Sequence, residues 1–169
     1  QLGAIQIRSD VERKRLFGYA ADAATRSAVA AGIYSADASI QTYERLATLA
    51  HAVIAAGYSV IIDATFLEFA RRESFRELAA DMSVPFLILH CHADRDTLHA
   101  RIQDRQAEGG DPSEAGLAVL ESQLAGYQLL RPEELDSVIN ADAGGDAVEA
   151  AITGLATAIR ARLVPVPES

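Results

Sequence analysis

Short apolar runs rich in β-branched residues alternate with longer amphipathic stretches through most of this chain, and that alternation restricts the fold more than any single residue does. Gly3 to Arg8, Ser59 to Ala64, Phe86 to His92 and Ser137 to Asn140 read as strands, with helix-length segments between them. Strand and helix in regular succession predict an α/β three-layer sandwich around a mostly parallel sheet. Ligands of such sheets gather in the crevice at the carboxyl ends of the strands. Two runs end there in aspartate, Ile5-Gln6-Ile7-Arg8-Ser9-Asp10 and Val60-Ile61-Ile62-Asp63-Ala64-Thr65.

Local signals place the helices. Ser9 with Glu12 has the Ser-x-x-Glu form of a capping box opening a helix that Gly18 stops. Tyr19 to Ala36 has no strong period. From Asp37, Ile40, Tyr43, Leu46, Leu49, Val53 and Ile54 follow helical spacing up to Gly57. The continuous run from Ser59 to Ala64 predicts a strand buried on both faces. A helix over Glu68 to Met82 carries Arg71, Arg72 and Arg76, an arrangement expected of a solvated face. Asp94 is placed to cap the next helix, which bears Leu98, Arg101, Ile102 and Arg105 and breaks at Gly109-Gly110-Asp111-Pro112. Further helices are expected from Ser113 to Tyr127 and from Ala147 to Leu163. With no credible linker, residues 1–163 read as one domain and 164–169, containing Pro165 and Pro167, as a frayed tail.

Composition removes several function classes. A formal charge of −9, with Lys14 as the sole lysine, is contrary to wrapping a long nucleic acid, which draws on clustered cations. A small anionic ligand needs only a few local arginines. Cys91 is the single cysteine, so an intrachain disulfide and a cysteine-rich zinc site are excluded, and a reducing cytoplasm is the expected compartment. No apolar run approaches the roughly 18 to 20 residues of a membrane span.

Four constellations can carry chemistry. Asp10 and Arg13 stand three apart in a first helical turn, where a carboxylate can accept a hydroxyl proton while the guanidinium holds the acceptor. Favourable interaction with the helix dipole explains Asp10 equally well. Asp63 ends the most hydrophobic strand, where an ionised carboxylate must be paired, hydrated or metal-bound, and Thr65 follows on the same side of an extended chain. A solvent-exposed strand terminus is the competing account. Arg101 and Arg105, at i and i+4 before the glycine break, suit a mobile lid that brings charge to a transferring phosphoryl group, or else surface pairs with Asp104 and Glu108. His90 and His92 share a strand face, but no second ligand cluster with zinc spacing accompanies them, and Cys91 between them reads as a small core residue.

In their order, Ile7-Arg8-Ser9-Asp10-Val11-Glu12-Arg13, Val60-Ile61-Ile62-Asp63-Ala64-Thr65-Phe66 and Leu98-His99-Ala100-Arg101-Ile102-Gln103-Asp104-Arg105 resemble the P-loop kinase family, in the AAA-type group with zeta toxins, polynucleotide kinases and gluconate-kinase-like enzymes. The likeness spans roughly Gly3 to Asn140. It implies ATP and Mg²⁺ as cofactors, Asp10 as base or orienter of the acceptor hydroxyl, Arg13 as acceptor ligand, Asp63 with Thr65 on the magnesium side, and Arg101 and Arg105 as lid arginines. One departure is large: the sequence holds no G-x-x-x-x-G-K-[ST], the loop whose amides and lysine cradle nucleotide phosphates. Gly3 to Arg8 is therefore expected to be the second strand of the parent fold, with the first strand and phosphate loop upstream of Gln1.

The leading expectation is a kinase domain that transfers the γ-phosphoryl group of ATP to a hydroxyl of a small molecule or nucleotide-type acceptor, these residues alone being inactive without the loop. The alternative is a degenerate kinase-like module for binding or dimerisation. A dinucleotide oxidoreductase is weaker, since no G-x-G-x-x-G follows a strand. Removal of a central strand predicts a gap in the sheet, a swapped strand or self-association through exposed edges.

Overall fold

The structure, a computed structural model, describes residues 3–23, 32–108, 116–142 and 156–159. In chain order it contains β1 (Ile5–Arg8), α1 (Ser9–Leu16), a 3₁₀ turn (Gly32–Tyr34), α2 (Ala36–Ala55), β2 (Val60–Asp63), α3 (Phe69–Asp81), β3 (Ile88–His92), α4 (Arg95–Glu108), α5 (Leu117–Gly126), a 3₁₀ turn (Pro132–Ser137) and β4 (Val138–Asp142). All four runs read from the sequence form strands; the first and third start two residues later than read, the second loses one residue at each end, and the fourth starts one residue later and runs on to Asp142. The glycine break after α4, the terminal helix as a unit and the tail lie outside the described residues.

Two parallel pairs form, β1 with β2 and β3 with β4. Ile5 stands opposite Val60 and Arg8 opposite Asp63; Ile88 stands opposite Val138 and His92 opposite Asp142. Among the described residues no ladder joins one pair to the other, so the sheet is interrupted.

The core lies on one face of the first pair. Ile7 packs with Leu46 and Ala50 of α2 and Phe75 of α3, and Val60 and Ile62 lean against that cluster. The opposite face is uncovered: Ile61 is 42% exposed and Asp63 is exposed too. The double-sided burial expected for this strand is thus corrected to burial on one side. A continuous apolar run marks a strand that can be covered twice, but cover depends on partners that the run does not specify.

Helix ends follow a shared device. α2 starts at Ser35, whose hydroxyl accepts from the Ala38 N–H at 3.2 Å. It ends with Gly57 at φ +83, Gly57 N–H donating to Ile54 O at 2.9 Å and Tyr58 N–H to Val53 O at 3.2 Å. These two bonds satisfy carbonyls that the helix leaves open. α3 ends the same way with Ser83 at φ +55, where Ser83 N–H reaches Ala80 O at 2.9 Å and Val84 N–H reaches Ala79 O at 3.0 Å. α1 departs from its predicted start. Ser9 is already helical and Arg8, still in the β1 ladder, stands at the N-cap position, where its side chain makes no capping hydrogen bond. Glu12 instead accepts from Arg15 at 2.6 Å and Arg45 at 3.3 Å, which fastens α1 to α2.

The largest revision concerns Arg72. Expected on a solvated face, its side chain is 4% exposed and its partner Glu134 is 2% exposed. Arg72 Nε donates to Glu134 Oε1 at 2.6 Å and one terminal nitrogen to Oε2 at 3.0 Å, a two-pronged pair. The remaining donors reach Phe66 O at 2.9 Å, Leu67 O at 3.3 Å and Leu129 O at 3.3 Å. Glu134 Oε2 also accepts the Arg131 N–H at 2.9 Å. The pair therefore fastens α3, the turn after β2 and the segment entering β4 to one another.

Removing one member of this pair strands a buried charge, so Arg72→Ala is expected to destabilise the protein by about 3–5 kcal/mol in chemical denaturation. The bonds from Arg72 hold the Glu134 carboxyl below its ordinary value, outweighing the opposing effect of burial. A depressed carboxylate stabilises the fold fully above its unfolded value, about pH 4.3, and that contribution is lost as pH falls through the lower folded value. The stability difference between the unmodified protein and Glu134→Gln should accordingly shrink on acidification through that window. A second expectation concerns Ser83: glycine adopts its positive φ without the steric cost of a Cβ, so Ser83→Gly should raise stability by about 0.5–1 kcal/mol in the same measurement.

Candidate functional site

The carboxyl ends of β1 and β2 lie side by side because the two strands are parallel and in register from Ile5 to Arg8. On the uncovered face, Gln6 Nε2 donates to Asp63 Oδ2 at 2.9 Å, and Arg8 Nε stands 3.6 Å from the same oxygen. Alternation along the strands explains this grouping: Ile7, Val60 and Ile62 turn to the core, which leaves Gln6, Arg8, Ile61 and Asp63 on the other side. The Asp63 side chain is half exposed, so its carboxylate has a polar cradle and still meets solvent.

Behind Asp63 the chain turns sharply. Thr65 is exposed, and Phe66 takes a left-handed φ of +44, rare for an aromatic residue. Three contacts hold it there. Its N–H donates to the Tyr43 hydroxyl at 3.2 Å, its carbonyl accepts from Arg72, and its ring meets those of Tyr43 and Phe75 edge-on at centroid distances of 5.4 and 5.1 Å. The position of Thr65 relative to Asp63 is thereby fixed from the core side.

Asp10 is the second residue of α1, partly exposed, directly beyond the strand end that carries Arg8. Arg13, one turn on, is buried: one terminal nitrogen donates to Ile33 O at 2.9 Å and to Ser39 Oγ at 3.3 Å, and the guanidinium carbon lies 5.3 Å from the centre of the Tyr34 ring. Its buried Nε has no hydrogen-bond partner among the described residues. Burial pushes the Arg13 pKa down, while the charge of Asp10 pulls it up, so the two groups are electrically coupled. The structure thus brings Asp10 and Arg13 together on α1, and sets Asp63 against Gln6 and Arg8 at the adjoining strand ends.

Arg101 is exposed on α4, and the side chain of Arg105 lies outside the described residues. α4 is anchored at its start by Asp94, whose carboxylate accepts from the Thr97 N–H at 2.8 Å and the Thr97 hydroxyl at 2.8 Å. Glu121 of α5 takes bonds from Arg95 and His99, which ties α4 to α5. His90 and His92 do share a face, stacked 5.7 Å apart, and His90 also stacks on Tyr127 at 6.2 Å. The two nitrogens of His90 face Asn140 Oδ1 at 3.1 Å and the Tyr127 hydroxyl at 3.3 Å. Cys91 is exposed rather than a core residue; its thiol pKa is pushed up by partial burial and then by the charge of Asp63. No group of three or more histidine, cysteine, aspartate or glutamate side chains able to hold a metal occurs among the described residues.

Gln6 and Arg8 escaped sequence reasoning. Their spacing of two places them on one strand face, but only the β1–β2 register shows that this face carries Asp63.

A family model described as an AAA domain matches residues 1–130. The chain belongs to that AAA-domain family. No curated protein matches it. Two solved structures share the fold of this AAA-domain chain. A protein from Chloroflexus aurantiacus designated a kinase is 16% identical, with a TM-score of 0.66 over 95% of this chain and 85% of that one. A gluconokinase from Sinorhizobium meliloti 1021 is 16% identical, with a TM-score of 0.56 over 94% of this chain and 82% of that one. The α/β fold with parallel strands is therefore that of P-loop kinases. No helix among the described residues is long and apolar enough to cross a membrane.

Replacing Tyr43 by phenylalanine keeps the ring cluster but removes the hydroxyl that the Phe66 N–H meets. Tyr43→Phe is expected to cost about 1 kcal/mol of stability in urea denaturation, the usual worth of one such bond.

Proposed function

We propose that these residues form the acceptor and magnesium sides of an ATP-dependent phosphotransferase acting on a hydroxyl of a small molecule or nucleotide-type acceptor in the cytoplasm. The observation that carries this reading is the juxtaposition at one sheet edge: a solvent-facing Asp63 cradled by Gln6 and Arg8, with Asp10 and Arg13 opening the next helix. A kinase-type fold supports it.

Asp10 takes the acceptor hydroxyl proton, and Arg13, held over Tyr34 and by Ile33 O, positions the acceptor side of the crevice. Asp63 fits a magnesium ion in one respect: it is an exposed carboxylate, and Mg²⁺ is commonly held by one or two carboxylates together with substrate phosphates and water. Thr65, exposed two residues on, belongs to the same side. When bound, the ion would offset charge on the transferring phosphoryl group. Arg101 and Arg105 contribute further positive charge from α4. The residues do not fit the whole nucleotide, because no loop in the 169 residues has the form that cradles its phosphates. Phosphoryl transfer therefore requires that loop from elsewhere, and long nucleic acids are not the acceptors of so acidic a chain.

The test supplies a Walker A strand, loop and helix ahead of these residues and follows phosphate transfer from radiolabelled ATP to a panel of hydroxyl acceptors. Asp10→Asn should lower kcat by about 10²–10⁴-fold. Asp63→Asn should raise the Mg²⁺ concentration needed for half-maximal transfer and lower transfer, while the 169 residues alone should transfer nothing. Transfer unaffected by either substitution would sink the assignment. Normal Mg-ATP binding without transfer to any acceptor would favour a binding module.

A further inference from the structure

Arg71, Arg72 and Arg76 share α3, yet the fold matches their guanidiniums unequally. Arg72 divides its donors among Glu134 and three carbonyls, and Arg76 is held by both oxygens of Glu73. Arg71 has no such match among the described residues. The one carboxylate near it there is Glu68, with Oε2 at 4.0 Å, beyond hydrogen-bond reach. Its side chain is nevertheless only 26% exposed, and its guanidinium carbon lies 4.9 Å from the centre of the Tyr43 ring. That ring contact holds the group in place without giving its five donors an acceptor, and donors drawn out of water require one.

A second guanidinium with a spare donor meets the same helix. Arg13 donates to Ser39 Oγ at 3.3 Å, and its buried Nε has no hydrogen-bond partner among the described residues. Ser39 and Tyr43 are four apart on α2, which makes them surface neighbours at about 5–6 Å between Cβ atoms. Arg13 reaches this stretch from α1 and Arg71 reaches it from α3. Each arginine also adjoins one side of the proposed site. Asp10 lies one turn before Arg13, while the Tyr43 hydroxyl that meets the Phe66 N–H braces the turn carrying Thr65.

We infer that Arg71 is a specificity-determining residue that, together with Arg13 Nε, holds an oxyanion of the acceptor, so that the acceptor is a small hydroxy compound bearing a carboxylate or a phosphate monoester rather than a neutral alcohol. The inference deepens the phosphotransfer reading, on which the role of acceptor rests. Carboxylate and phosphate both offer a pair of oxygens to the planar fork of a guanidinium, so the chemistry selected is that shared pair and its charge. Arg71, held against Tyr43, loses little further freedom when it binds, which favours recognition of a small ligand.

The probes are glycerol 3-phosphate, glycerate and neutral glycerol, each titrated into the ¹⁵N-labelled 169-residue protein while the arginine Nε–H resonances are followed by NMR. One or both anions should shift Arg71 and Arg13 saturably, whereas glycerol should shift neither. A response to glycerol 3-phosphate alone assigns the phosphate, and a response to glycerate alone assigns the carboxylate. Arg71→Gln should weaken anion binding at least about tenfold, the loss expected of one charge-assisted contact. Arg76→Gln removes the same charge from a guanidinium already matched by Glu73 and should leave binding unchanged. The shifts in the unmodified protein test the site even where a variant is destabilised. No saturable shift with either anion, an equal response to glycerol, a shift at Arg71 that leaves Arg13 unmoved, undiminished binding by Arg71→Gln, or an equal loss in Arg76→Gln would each overturn the inference. The two readings fail separately: absent anion binding leaves transfer to a neutral hydroxyl intact, and anion binding without transfer in the loop-completed protein counts against the phosphotransfer reading alone.

Discussion

The contact between Arg72 and Glu134 is where the separate parts of this fold are made into one. Arg72 sits on α3 and Glu134 immediately before β4, on opposite sides of the break between the strand pairs. A buried ion pair stabilises little in net terms, because desolvation offsets most of the Coulomb attraction. Its effect here is positional. The donors of Arg72 are shared among Glu134 and the carbonyls of Phe66, Leu67 and Leu129, which fixes the turn after β2 relative to the entry to β4. The left-handed Phe66 depends on this bracing, together with Tyr43 and the ring cluster. Thr65 and Asp63 follow from Phe66, so a charge pair in the interior sets the geometry of an edge that faces solvent.

The interrupted sheet is the second constraint. α2 and α3 cover one face of the β1–β2 pair through Leu46, Ala50 and Phe75, and that half-cover suffices to form the pair. It leaves Gln6, Arg8, Ile61 and Asp63 outside. An uncovered face costs apolar exposure at Ile61, yet it also leaves a carboxylate accessible at the strand end. The same absence of cover thus accounts for the exposed isoleucine and the candidate site.

Much of this architecture was legible in the residues. Strand positions followed from β-branched runs, α2 from helical spacing closed by Gly57, and the α4 start from Asp94, because each is governed by neighbours along the chain. Asp10, Arg13 and Asp63 could be placed at strand-to-helix junctions for the same reason. What was not legible depended on pairing across the chain. Arg72 looks like Arg71 and Arg76 in sequence, and only the approach of Glu134, 62 residues away, makes it interior. Ser9 has the letters of a cap, but the β1 ladder carries the chain extended through Arg8 and the helix begins one residue too early for Ser9 to serve. Ser83 closes α3 in a conformation usually signalled by glycine, so that stop had no marker. Gln6 and Arg8 acquire meaning only from register.

Two of the arginine–carboxylate pairs among the described residues have similar chemistry and different consequence. Arg72 and Glu134 are buried, bonded in two-pronged geometry and surrounded by carbonyls, so exchanging either partner exposes a charge to the interior. Arg8 and Asp63 stand 3.6 Å apart with 36% and 50% of their side-chain surface exposed. Exposed pairs of that kind contribute about 0–1 kcal/mol. Water or another cation can replace Arg8 at Asp63 with little loss to the fold, whereas nothing replaces Arg72 at Glu134. Burial, rather than residue type, decides which carboxylate is structural and which remains available for binding.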